Sequence, residues 1–412
     1  MQHKFLVPLL ILVSLLTINP RINGWNEASR MALTQSIVEH HELTIEQSTF
    51  QDTGDKLFIN GKFYSDKPTT PSFLAAFVYL PLYQLGLDLS YGWNLAYYLI
   101  IFFIIKVLWI LSVLAFYMIQ TLFGVQGQTR LNYTLIYALA SQAFTWSSTF
   151  NNHSIAASAL ILGFALYLMG RHDGGPGNYL LAGFFFGLSA AVDIPTGLFF
   201  LGFAFLVLRS PATGTDKWGF IAAGLFPLTF HFIINYHIGG TFLPLQFVRE
   251  YLYFEGSQWT DGMRTNSPLA FFKYMFLSML GPQGFLWYSP ILVFLIPILV
   301  KQSRKGRPFH QETRVIAIAA LLLMMTYFLL TQNYGGWGYG IRWFVPLVPL
   351  LYVYLFDIDS LLFSNWQKRL FGGLVIYSFV VAVIGLINPW SNPEYHVIPI
   401  VANLLQLQQF LF

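Results

Sequence analysis

Glu27 and Arg30 lie three residues apart in the stretch Asn23-Gly-Trp-Asn-Glu-Ala-Ser-Arg30, at the head of a run whose spacing predicts a helix over 27–41. Positions i and i+3 of a helix project from one face, so the carboxylate and the guanidinium would act together. Asn26 suits the helix cap. Met31, Ile37 and Val38 fall on the other side and can lie on an apolar surface. So placed, Glu27 can take a proton from an acceptor hydroxyl or amine, the work of a general base in group transfer. An acidic residue in a first helical turn also answers the helix dipole and need do nothing more. Both readings stand on the residues alone.

Lys67, just before Pro68, is placed to bind a phosphate as a point charge, or simply to snorkel at an interface. The stretch Asn333-Tyr-Gly-Gly-Trp-Gly-Tyr-Gly-Ile-Arg342 says more. Its four glycines in six residues let backbone approach a ligand, and Trp337 and Tyr339 can stack on a sugar. Arg342 can grip a phosphate through two parallel bonds. A plain interhelical loop is the competing reading, but this arginine heads an apolar run. Asn152 and His153 head another such run and are candidates for substrate contact or for a helix cap. His40-His41 lack carboxylates at ligand spacing, so no metal site is expected there.

The elements that must position these residues are set by composition. Of 412 residues 56% are hydrophobic and only 10% charged, where soluble domains carry roughly a quarter. Apolar runs recur along the chain, and in a bilayer such runs must be helices because lipid offers the backbone no partner. The fold class is therefore all-α, a polytopic protein whose first partner is the lipid bilayer. A net charge of +4 with no basic tract excludes a nucleic-acid partner. The absence of cysteine excludes disulfides, thiolate metal sites and a cysteine nucleophile.

Spans are expected at 5–18, 94–122, 131–148, 153–170, 178–193, 195–208, 217–236, 285–300, 313–332 and 343–362, with an eleventh ending at 387. This count puts the basic loops at Arg130, Arg171, Arg209, Lys301–Arg307 and Lys368-Arg369 on one side, which the positive-inside rule makes cytoplasmic. The N-terminus is then inside, and 71–87 begins and ends outside, as a re-entrant or in-plane helix. The expected organisation is one transmembrane domain over 1–387, with 20–70 as the first outer loop, 237–283 as a second, and 388–412 as an outer tail. The short polar elements all emerge on the outer face of what reads as a plasma-membrane protein.

The order Asn26, Glu27, Ser29, Arg30, then Thr53-Gly-Asp-Lys56 and Asn60-Gly-Lys-Phe-Tyr-Ser-Asp-Lys-Pro68, resembles the first outer loop of C-type (GT-C) glycosyltransferases. More narrowly it is similar to bacterial relatives of dolichyl-phosphate-mannose–protein mannosyltransferases and of the lipid A aminoarabinose transferase. Asn151-Asn-His153, Asn235-Tyr236, Gly284-Phe-Leu-Trp-Tyr-Ser-Pro290 and the run from Gly335 to Pro349 extend the likeness over roughly residues 5–365. The resemblance implies a GT-C-like fold with juxtamembrane helices in the first loop. It also implies a polyprenyl-phosphate-sugar donor, inverting transfer on the outer face, and a lipid, glycan or protein acceptor. It carries Glu27 onto the base, Lys67 onto the donor phosphate and Arg342 onto a second phosphate or sugar contact. Asp55 and Asp66 match acidic positions and join Arg30 as substrate-binding candidates. No cofactor is called for, although some relatives use a divalent metal. Asn26 departs from the pattern where a second carboxylate is common, as does Thr69-Thr70 where a proline or glycine is common. With no large soluble C-terminal domain, acceptor choice is expected from the outer loops.

A transporter or lipid-linked-sugar flippase is the rival class. It calls for matching halves or ionisable groups in mid-span. Neither is evident, and Lys106, the nearest candidate, reads as a snorkelling or kinked position. A non-catalytic scaffold leaves the glycine loop and its arginine without a purpose.

Overall fold

The computed structural model describes every residue except Met1, 258–266, 308, 332, 362–363, 392–397 and 412. Among the described residues, six helices are long and apolar enough to cross a membrane: Leu95–Phe123, Asn152–His172, Gly214–Gly239, His310–Leu330, Arg342–Ser360 and Asn365–Ile387. Three shorter apolar helices, Leu6–Leu16, Gly177–Val192 and Ile194–Arg209, accompany them. The expected span 131–148 is broken into Gly127–Leu139 and Gln142–Trp146, and that at 285–300 straddles the 94° bend between Pro268–Tyr288 and Leu292–Gln302. These segments correspond to the eleven expected, and the architecture is that of an all-α polytopic membrane protein.

Close approach of backbones holds the bundle. A Cβ at Gly183 or Gly187 would sit 2.0 and 1.9 Å from the carbonyl oxygens of Phe220 and Gly224. Only glycine permits that crossing of Pro176–Val192 with Gly214–Gly239, the small-residue packing lipid-embedded helices rely on. Lys106 does not snorkel. It is buried at the end of a π-helical turn, Ile101–Lys106, and donates to Thr17 Oγ1 at 2.8 Å and Ser147 Oγ at 2.9 Å.

Two segments differ from expectation. The stretch 237–283 contains a helix, Pro268–Leu280, capped by Ser267 and continuing into the bent pair. It reads as loop in the sequence because Gly281-Pro-Gln-Gly284 cuts the apolar run short. The tail likewise carries a helix, Pro399–Leu411. Segment 71–87 forms most of one helix, Thr69–Gln84, packed on Trp25–Gln35 and on Gly214–Gly239.

The first loop is built from the Trp25–Gln35 helix and a hairpin, Lys56–Ile59 with Lys62–Ser65, the only strands among the described residues. Asn60 and Gly61 turn it with φ of 51° and 81°, the conformation that Asn-Gly supplies in a two-residue turn. The register pairs Lys56 with Ser65. One step further out it sets Asp55 across from Asp66.

Candidate active site

The Trp25–Gln35 helix begins two residues earlier than its sequence suggests, with Gly24 as N-cap, and this changes what Glu27 does. At the third helical position its Oε2 reaches back to the N–H of Asn23 at 2.9 Å and of Gly24 at 3.3 Å, a capping box. Oε1 accepts from the hydroxyls of Tyr97 and Thr149, and Trp390 Nε1 donates to the same Thr149 hydroxyl at 3.1 Å. Glu27 is fully buried with both oxygens occupied. Burial pushes its carboxyl up from 4.5 to about 7, against the pull of these bonds. In this structure all of these bonds tie Glu27 to the protein itself, joining the start of the first-loop helix to Tyr97 and Thr149.

Arg30, one turn on, is also buried. Its Nη1 donates to the Asn26 carbonyl at 2.9 Å and to the Asn26 side chain, and Nη2 donates to Asn152 Oδ1 at 2.5 Å. Nε has no hydrogen-bond partner among the described residues. Burial, and then the charge of Arg342, bring its pKa down to about 10.

The hairpin supplies the acidic side. Lys67 Nζ lies 2.8 Å from Asp55 Oδ2 and 2.9 Å from Asp66 Oδ2. Ser29 Oγ meets Ser65 Oγ at 2.7 Å and donates to Asp66 at 3.4 Å, tying helix to hairpin. Burial raises both carboxyls. At Asp55, Lys67 with Arg342 and Arg30 outweighs burial and leaves the group below its usual range. At Asp66 burial and the neighbouring Asp55 win over Lys67, and the group sits above it. Environment thus separates two adjacent carboxyls, as it does in acid–base pairs. Asp55 is the more open, its side chain 13% exposed against 4% for Asp66.

The glycine loop closes over this assembly. Gly335, Gly336 and Gly340 have φ of 91°, 67° and 77°. A Cβ on Gly335 would lie 3.2 Å from Arg342 Cγ, so the loop wraps that side chain. The Arg342 guanidinium carbon stands 4.7 Å over the ring of Trp390, and its Nε, like that of Arg30, is buried without a hydrogen-bond partner among the described residues. Trp337 is 60% exposed and stacks on Trp25, centroids 6.5 Å apart. Tyr339 is not beside it. That residue is fully buried, donates to the Val381 carbonyl at 2.7 Å and packs edge-on to Tyr288. Tyr339 therefore packs inside the loop, where its buried ring and bonded hydroxyl offer a sugar no surface.

Asn152 and His153 open the Asn152–Asp173 helix, capped by Asn151 through the Ser154 N–H at 2.8 Å. His153 Nδ1 lies 2.7 Å from Asp193 Oδ2, and the Tyr327 hydroxyl donates to Asp193 Oδ1 at 3.3 Å. The structure thus brings Arg30, Asp55, Asp66, Lys67, Asn152, His153 and Arg342 together. Sequence reasoning missed Asp193 as a member and missed Tyr327, Tyr97, Thr149 and Trp390 altogether. Asp193 carried a signal, an acid at the end of an apolar run before Ile194-Pro195, whereas tyrosines inside apolar runs carry none. Among the described residues no three His, Asp or Glu side chains are grouped to hold a metal ion. Two guanidiniums close to each other, one buried and one half-buried, with a lysine and unused N–H donors, are equipped to hold a phosphate.

No protein-family profile matches the chain, and no curated protein matches it. Solved structures do. ArnT from Cupriavidus metallidurans in the apo state superposes with a TM-score of 0.59 at 14% identity, covering 97% of this chain and 67% of that one. The same protein bound to undecaprenyl phosphate gives 0.57 at 15% identity, covering 94% and 70%. The chain has the fold of these membrane proteins, the GT-C-like architecture that its motifs imply.

Proposed function

We propose that this protein is a membrane glycosyltransferase that moves a hexosyl or pentosyl group from a polyprenyl-phosphate donor to a lipid, glycan or protein acceptor on the outer face of the plasma membrane. One observation carries the reading. Arg30, buried, and Arg342, half-buried, are far apart in sequence yet close enough for one charge to act on the other, and among the described residues each has a buried Nε without a hydrogen-bond partner. A buried N–H donor left unpaired costs free energy, and an anion that accepts from both Nε groups removes that cost. The undecaprenyl phosphate bound to ArnT, a protein of the same fold, supports a lipid phosphate as that anion.

In this scheme the donor phosphate bridges Arg30 and Arg342, with Lys67 swung from its carboxylates onto a third oxygen. As the C1–O bond breaks, negative charge grows on the leaving phosphate, and fixed cations in a water-poor site stabilise it most at that moment. Asp55, more open than Asp66 and ionised at neutral pH, takes the acceptor proton on the far side of the sugar. Direct displacement then inverts the anomeric centre. Glu27 holds the Arg30 helix in register. The polyprenyl tail lies along Thr69–Gln84, whose Ser72 hydroxyl donates to the Arg30 carbonyl at 3.0 Å and whose Phe77 is exposed. The positive-inside reading keeps the N-terminus in the cytoplasm.

The test is incubation of purified protein with a panel of labelled polyprenyl-phosphate sugars. Release of polyprenyl phosphate, by transfer or slow hydrolysis, is expected for at least one sugar. Donor left intact across the panel, with no binding of undecaprenyl phosphate, overturns the reading.

A further inference from the structure

The site's basic and acidic side chains are equal in number without a ligand. Arg30, Lys67 and Arg342 face Asp55, Asp66 and Asp193, three against three, with the imidazole of His153 beside them. A phosphodiester donor adds one negative charge in a buried place, where a net charge is expensive. Some group must answer it with a proton. Glu27 is closed off by its own four bonds, and Tyr327 as a phenol already holds its proton.

His153 is built for the task. Its Nδ1 is fixed on Asp193, a pairing that orients an imidazole and supports its charged form, and this leaves Nε2 for a ligand. Asp193 is steadied by Tyr327, whose ring stacks at 4.7 Å on Trp343, the neighbour of Arg342. Asn152, in the same first turn, binds Arg30, so the positive end of a long helix stands beside the guanidiniums.

Resting on the transferase reading, we propose that His153, held by Asp193, is a proton-dependent fourth cation of the donor-phosphate subsite. It takes a proton from water as the donor anion binds and returns it when polyprenyl phosphate leaves.

The probe is the methyl diester of undecaprenyl phosphate, which stays monoanionic between about pH 6 and 8 and so isolates the protein's own titration. Its binding to purified protein is followed by calorimetry in buffers of different ionisation enthalpy. Wild type should take up close to one proton per diester, its affinity falling with rising pH toward the limit of about tenfold per unit. His153→Gln should bind with no uptake and a flat profile. His153→Lys, a permanent cation, should bind tightly and also flat, which keeps the test decisive where the glutamine variant folds poorly. Wild-type uptake and slope retained in either variant would place the proton on Asp66 and overturn the proposal. Diester binding by wild type without proton uptake overturns it while leaving the transferase reading intact. No binding at any pH removes both.

Discussion

Two arginines and a glutamate show how far residue type falls short of residue role. Arg342→Lys keeps the charge and loses the planar two-bond grip. Losing a charged hydrogen bond worth about 1.5–3 kcal/mol should lower kcat/KM about 10- to 100-fold, with membrane insertion unchanged. Asp55→Asn should cost about 10² to 10⁴ in kcat, the usual share of a general base, and initial rates on a labelled donor check both. Glu27 makes the opposite prediction. Its folded pKa is raised to about 7 from 4.5, so between those values the folded state holds a proton that the unfolded chain has released. Its contribution to stability is complete below about pH 4.5 and lost as pH rises through about 7. Asp55, held low, acts with the reverse sign, so only a difference between variants is diagnostic. Melting midpoints of wild type and Glu27→Gln, compared over that window, should show the wild type's downward slope reduced in the variant. Turnover by the folded variant should stay within a few-fold of wild type, and loss of all turnover would restore Glu27 as the base.

At the scale of elements, most of the site was legible because charge stands out in an apolar chain. Lys67, Asp55 and Asp66 could be singled out, yet their arrangement depended on one turn. Asn60-Gly61 sets the register that puts the two carboxyls opposite each other, and a one-residue slip would send one of them to the other face. Gly61→Ala meets no atoms but must hold φ near 81°, a strain of about 1 kcal/mol. A small drop in melting temperature is expected, with a larger loss of turnover as Asp55 and Asp66 separate. What the sequence hid has physical causes. The start of the Trp25 helix lies at Gly24, not Asn26, and those two residues decide whether Glu27 faces a substrate or its own cap. Tyr327 and Tyr97 sit in apolar runs where an aromatic ring is ordinary packing, and their hydroxyls matter only once Asp193 and Glu27 are seen opposite them. The Pro268–Leu280 helix escaped because it is too short to announce itself as a span.

For the whole molecule the question is how segments at either end of a chain come to share one site. Trp390 answers part of it. Its ring lies under Arg342, its Nε1 bonds Thr149, and its side chain lies where a Cβ on Gly24 would come within 3.2 Å. One indole from the tail thereby touches the glycine loop, the Asn152 turn and the start of the first-loop helix. This arrangement predicts proximity that chemistry can read directly, since the chain has no cysteine of its own. The exposed pair Trp25 and Trp337, stacked at 6.5 Å, can be replaced by cysteines without disturbing the buried charges. The double variant Trp25→Cys, Trp337→Cys should be joined by a short bismaleimide, and each single variant should not. Pretreating sealed, right-side-out membranes with an impermeant maleimide should abolish the link. That outcome places the carboxylates and guanidiniums on the outer face, whereas a link formed but protected from the outside reagent would invert the orientation and put the acceptor in the cytoplasm.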